Sequence, residues 1–152
     1  GYANSGRIAS YGASYGGFMS VATVIEGGAL FGAGVDVVGI VNFETFLEGT
    51  AGYRRALRAA EYGTLDDRAF LRSISPLLRA DEIPCPMLVA HGLNDPRVPI
   101  GEAMQLVGAL QRRGDDPEQV YFRDEGHGFQ KLENRALFVG RMLRFLDRTI
   151  GR

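Results

Sequence analysis

One serine in this sequence stands where a hydroxyl becomes a nucleophile. Gly12-Ala13-Ser14-Tyr15-Gly16, followed by Gly17, sets Ser14 between glycines. Such strings occur by chance, so the setting decides. A strand-like run over Ile8 to Tyr11 leads in, and an apolar helical segment leads out. A turn taken straight from strand into helix thrusts the serine Oγ away from the sheet. It also aims the first N–H groups of the helix at a reacting carbonyl. The residues two away from the serine are expected to lack side chains, because a Cβ there would clash in so tight a turn.

A serine hydroxyl needs a base, and histidine is the side chain that titrates nearest neutrality. Two are present. His91 ends an apolar run just before Gly92 and reads as a ring packed at a strand end. His127 lies between Gly126 and Gly128, in a loop free to present its side chain, and is assigned as the general base. The third member must hold His127 in one tautomer and stabilise its charged form. Asp95, in His91-Gly92-Leu93-Asn94-Asp95-Pro96-Arg97-Val98-Pro99, is assigned that role. Asp124 and Glu125 are rivals by adjacency, but neighbouring side chains in an extended segment point different ways. No metal or organic cofactor is called for. Two histidines on different strands and one cysteine do not make a zinc ligand set.

The elements that must position these residues follow from the apolar pattern. Strand-like runs cover Arg7 to Gly12, Val35 to Val41, Met87 to His91 and Gln119 to Arg123, and most do not alternate with polar residues. That is the signature of strands buried on both faces. Helical patterns cover Tyr15 to Glu26, Gly101 to Arg113, and a final stripe of Leu132, Ala136, Val139, Leu143, Leu146 and Ile150. Strands alternating with helices predict an α/β fold, a parallel sheet with helices on both faces. Residues 42–76 break the rhythm with two or three short helical pieces, an excursion inserted between the second and third strands. Its aromatics either line an acyl or P1 pocket or pack the excursion onto the sheet. Ser14, Asp95 and His127 each fall just past the carboxyl end of a different strand, the edge where open parallel sheets bind ligands. The order Ser, Asp, His is that of the α/β-hydrolases.

Composition sets the outer limits. The 152 residues suffice for one domain with a hydrophobic core. A formal net charge of −1, with arginines interleaved among acids, argues against a nucleic-acid or anionic-membrane binder. No apolar stretch is long enough to span a bilayer. Cys85, the single cysteine, sits between Pro84 and Pro86 and reads as a buried structural thiol. The chain begins at Gly1 without a signal-peptide pattern. The compartment is left open, leaning to the cytoplasm.

Three stretches resemble the signatures of the prolyl oligopeptidase family of serine peptidases, which includes acylaminoacyl peptidases and dipeptidyl aminopeptidases. They are Gly-Ala-Ser-Tyr-Gly-Gly-Phe-Met at 12–19, His-Gly-Leu-Asn-Asp-Pro-Arg-Val-Pro at 91–99 and Glu-Gly-His-Gly-Phe at 125–129. The stretches at 38–48 and 53–55 are similar to bacterial members. The resemblance implies a triad of Ser14, Asp95 and His127, with the Tyr15 N–H as one oxyanion donor. It implies a serine-type peptidase acting on short peptides through an acyl-enzyme; a carboxylesterase or other acyl hydrolase shares the same chemistry. Only residues 1–11 precede the nucleophile motif. The chain is therefore expected to be the C-terminal portion of an α/β-hydrolase catalytic domain, without an N-terminal half-domain and propeller that family members carry. An isolated piece of that kind is expected to have little activity or to be a non-catalytic fragment.

Overall fold

In the computed structural model, residues 3–151 are described. Four strands form one parallel sheet: β1 Ile8–Ala13, β2 Phe31–Val37, β3 Met87–Gly92 and β4 Glu118–Phe122, hydrogen-bonded in that order. Between and after them run α1 Tyr15–Gly27, α2 Phe43–Gly49, α3 Gly52–Tyr62, α4 Arg68–Ser73, α5 Gly101–Arg112 and α6 Leu132–Ile150. The excursion is thus the three short helices α2 to α4, followed by a 3₁₀ stretch over Pro76–Glu82.

The two central strands, β2 and β3, are buried on both sides, as their lack of alternation requires, while β1 lies at the edge of the sheet with Tyr11 and Ala13 exposed. On one face, Met87 and Val89 pack with Val21 and Val24 of α1 and Leu106 and Leu110 of α5. On the other, Ala33, Val35, Val37, Leu88 and Ala90 pack against Phe138 and Phe145 of α6. A third cluster, Ile40, Phe43, Phe46, Leu47, Leu71 and Val98, fastens the excursion to the carboxyl edge of the sheet.

Two expectations need correction. The second strand lies four residues earlier than Val35 to Val41: Phe31-Gly-Ala-Gly pairs with β1, and the chain leaves the sheet at Val38. Glycines that look like a turn are needed here because neighbouring side chains and backbone press close. A Cβ on Gly34 would lie 2.4 Å from the Met87 sulfur. Val38 then takes φ +47°, a left-handed conformation that a β-branched residue rarely adopts, and turns the chain toward the excursion. The second correction concerns α6. Leu132, Val139 and Leu143 of the apolar stripe face outward, while Phe138 and Phe145 fill the core. The helix is apolar on two sides, and the bulkier aromatic side won the contact with the sheet.

Candidate active site

Ser14 ends β1 and precedes α1 with φ +59° and ψ −119°, a strained conformation for a residue with a side chain. The surroundings hold it there. Its N–H donates to the Val37 carbonyl at 2.9 Å, continuing the sheet by one rung, and its carbonyl accepts from the N–H groups of Gly17 and Phe18. The glycines around it divide. A Cβ on Gly12 would lie 1.9 Å from the Gly16 carbonyl oxygen, and one on Gly17 would meet Asp36 and Gly39 within 2.6 Å. A Cβ on Gly16 would meet nothing within 4 Å. So the expected clash holds for Gly12 but not for Gly16, whose backbone rather than side-chain position is what crowds the turn.

The three expected residues come together. The Ser14 hydroxyl is 2.9 Å from Nε2 of His127, and Nδ1 of the same ring is 2.8 Å from Oδ2 of Asp95. Asp95 has a fully covered side chain. Burial alone would raise its pKa, but the hydrogen bonds from His127 and from the N–H groups of Val98 and Arg97 outweigh it and hold the carboxyl below its ordinary value. With Asp95 ionised, Nδ1 of His127 carries the proton that faces it and Nε2 is left to accept from the serine. The N–H of Tyr15, first in α1, is one of those that a helix start leaves without an acceptor inside the helix.

The rival acids are occupied elsewhere. Glu125 accepts from the N–H groups of Gln130 and Lys131 and from the Asn134 side chain, and these bonds hold its pKa below the ordinary value. Asp124 pairs with Lys131. His91 is buried, its Nε2 donating to the Val98 carbonyl at 2.9 Å, and burial lowers its pKa so that it stays neutral. It braces the loop that carries Asp95. Cys85 is buried and its thiol is pushed up to about 11 by desolvation, which removes it as a nucleophile.

A cleft of about 80 Å³ opens beside Ser14 and His127, bounded by Tyr62 and by three arginines, Arg54, Arg58 and Arg97. Larger hollows lie elsewhere, one of them around Cys85 and Pro117, away from these side chains. In the sequence these arginines show only as cations interleaved with acids. The signal that could have found Arg54, Arg58 and Tyr62 is their four-residue spacing, which sets them on one face of α3.

Behind the nucleophile turn lies a group that the pattern did not flag. Asp36 of β2 is 1% exposed, and neither carboxyl oxygen makes a hydrogen bond of good geometry among the described residues. Desolvation raises its pKa from 3.8 to about 7, opposed by the Gly39 N–H and reinforced by Glu102.

Known proteins share the sequence and the fold of this chain. The model of the prolyl oligopeptidase family matches residues 1–152. The sequence is 36% identical over 151 residues to dipeptidyl aminopeptidase BIII of Pseudoxanthomonas mexicana, covering 95% of this chain and 22% of that one. It is 32% identical over 158 residues to dipeptidyl peptidase family member 6 of Caenorhabditis elegans, covering 99% and 21%. A Mycobacterium tuberculosis puromycin-hydrolyzing peptidase superposes with a TM-score of 0.91 at 29% identity, over 98% of this chain and 23% of that one. The acylaminoacyl peptidase of Pyrococcus horikoshii superposes with a TM-score of 0.89 at 24% identity, over 97% and 25%, a likeness of fold. The chain thus spans about a fifth of the length of these curated relatives.

Proposed function

The chain belongs to the prolyl oligopeptidase family, and we propose that it carries the catalytic triad of a serine-type peptidase that hydrolyses short peptides through an acyl-enzyme. The observation that carries this reading is the continuous chain of hydrogen-bond distances from Ser14 through His127 to Asp95, each residue delivered by the carboxyl end of a different strand.

The steps follow from the geometry. Ser14 Oγ attacks the scissile carbonyl carbon while Nε2 of His127 takes the hydroxyl proton. The new charge on the carbonyl oxygen is stabilised by the N–H of Tyr15, reinforced by the positive end of α1. The carbon–nitrogen bond then breaks, and His127 gives its proton to the departing amine. Water repeats the sequence on the acyl-enzyme: His127 takes its proton, the ester bond to Ser14 breaks, and the proton returns to Ser14 as the acid leaves. Asp95 keeps its charge throughout, fixing the ring and stabilising the imidazolium.

Labelling with a fluorophosphonate tests the nucleophile. Labelling is expected of the protein and not of Ser14→Ala; equal labelling of both, or none of either, would remove the assignment. Comparing aminoacyl-arylamides with p-nitrophenyl esters then separates a peptidase from an esterase, since the triad serves both and the pocket decides.

A further inference from the structure

We propose that Arg54 and Arg58 form a carboxylate-recognition subsite beside Ser14, so that the site prefers short peptides carrying a carboxylate next to the scissile bond. The inference rests on the peptidase reading above. It begins from a contrast within α3. Arg55 is a structural arginine: its guanidinium donates to the carbonyls of Leu47, Glu48 and Thr50 and ties α3 to the end of α2. Its neighbours on the cleft side are not satisfied in this way. Arg54 reaches only the Pro96 carbonyl, at 3.1 Å. Arg58 pairs through one nitrogen with Glu61, and its Nε is buried with no acceptor among the described residues.

The charge around the cleft is positive although the whole chain is at −1. Arg54, Arg58 and Arg97 face it from α3 and from the loop after β3. The Arg97 guanidinium has no ion-pair partner among the described residues. Against these stand Glu61, already engaged by Arg58, and Asp95, whose carboxylate is taken up by His127 and two backbone N–H groups. A half-covered guanidinium with an idle N–H is costly to keep and gains most from an incoming planar anion. In a peptide the anions are carboxylates, either an acidic side chain or a free C-terminus, and the guanidinium fork matches both.

The test separates the two sources and does not depend on turnover. Binding to the Ser14→Ala protein is measured calorimetrically for capped peptides differing only as Glu or Gln beside the scissile position, and for peptides ending in a free carboxylate or its amide. At least one carboxylate form is expected to bind about ten-fold tighter than its neutral partner, the size of one charge-assisted hydrogen bond. The Glu–Gln pair identifies the side chain as the source, and the acid–amide pair identifies the terminus. The preference should shrink at 0.5 M salt, where screening reaches exposed charges, and fall to about two-fold or less in the double variant Arg54→Gln, Arg58→Gln, the loss of one such bond. Equal binding of charged and neutral partners, a preference that survives in the double variant, or no binding of any carboxylate peptide at millimolar concentration would each overturn the subsite. Fluorophosphonate labelling of Ser14 in the unmutated protein reports on the peptidase reading separately.

Discussion

Replacing Asp36 by Asn should change how stability depends on pH, by an amount that the burial of this side chain sets. Asp36 lies on the α1 side of β2, where a Cβ on either Gly17 or Gly39 would collide with its carboxyl. Burial raises its pKa from 3.8 to about 7, with Glu102 of α5 adding to the effect; burial first, and the Asp36 charge after it, raise that of Tyr121 on β4, whose hydroxyl also lacks a partner among the described residues. A tenfold change in a proton equilibrium is about 1.4 kcal/mol, so the interval from 3.8 to about 7 corresponds to about 4 kcal/mol. Between those values the folded chain holds a proton that the unfolded chain has released. Stability therefore falls as pH rises through the interval and levels off above it. Asn has the same shape and no proton to lose. Urea unfolding followed by circular dichroism at pH 4.5, 6, 7 and 8.5 should show Asp36→Asn gaining on the parent steadily, by up to about 4 kcal/mol at the top. Carboxyls held low in the fold, such as Asp95, Glu118 and Glu125, push the other way but are common to both proteins and cancel. Any misfit of the amide is independent of pH and only displaces the curve. A difference that stays flat from pH 4.5 to 8.5 would refute the reasoning.

Asp95→Asn should leave the fold intact and lower turnover by about 10⁴, since an amide no longer selects the tautomer of His127 that accepts from Ser14; the ratio of kcat values measures it, and a loss under ten-fold would reject the orienting role. Gly12→Ala should abolish fluorophosphonate labelling and lower the urea midpoint, because the added carbon lands on the Gly16 carbonyl, whereas Gly16→Ala should label normally. Glu102→Ala should destabilise by about 2–4 kcal/mol by leaving the N–H groups of Val41 and Asn42 without their acceptor, read as a shift in the urea midpoint with unchanged slope.

The sheet was legible in the sequence wherever an apolar run is bounded by turn residues. β1, β3 and β4 lie within a residue of their expected limits. β2 did not, because glycines alternate through its first half, and the space Gly34 leaves for α1 and the Met87 side chain is a property of neighbours far along the chain. Ser14, Asp95 and His127 were legible from residue type and from their places after strands. Arg54, Arg58, Asp36 and Glu102 were not. Each is a charged residue of ordinary type in an ordinary run, and what distinguishes it is the partner it has or lacks once helices and sheet have closed.

Glu102 bears on how the site is held. From α5 it accepts from the N–H groups of Val41 and Asn42 and from the Thr45 hydroxyl, while the Asn42 side chain caps α2. The entry to the excursion is thereby riveted to the body of the domain. Its exit is fixed as well, where Ser75 accepts from the Phe43 N–H and the Leu77 N–H donates to the Val41 carbonyl. The excursion is therefore a bridge standing on two piers, and α3, with no buried residue of its own, is its middle span. Tyr62 stacks on Tyr15 and packs on Phe43 and Phe46, and Arg54 donates to the Pro96 carbonyl, so the wall of the cleft that α3 supplies is braced against the same frame that carries Ser14, His127 and Asp95.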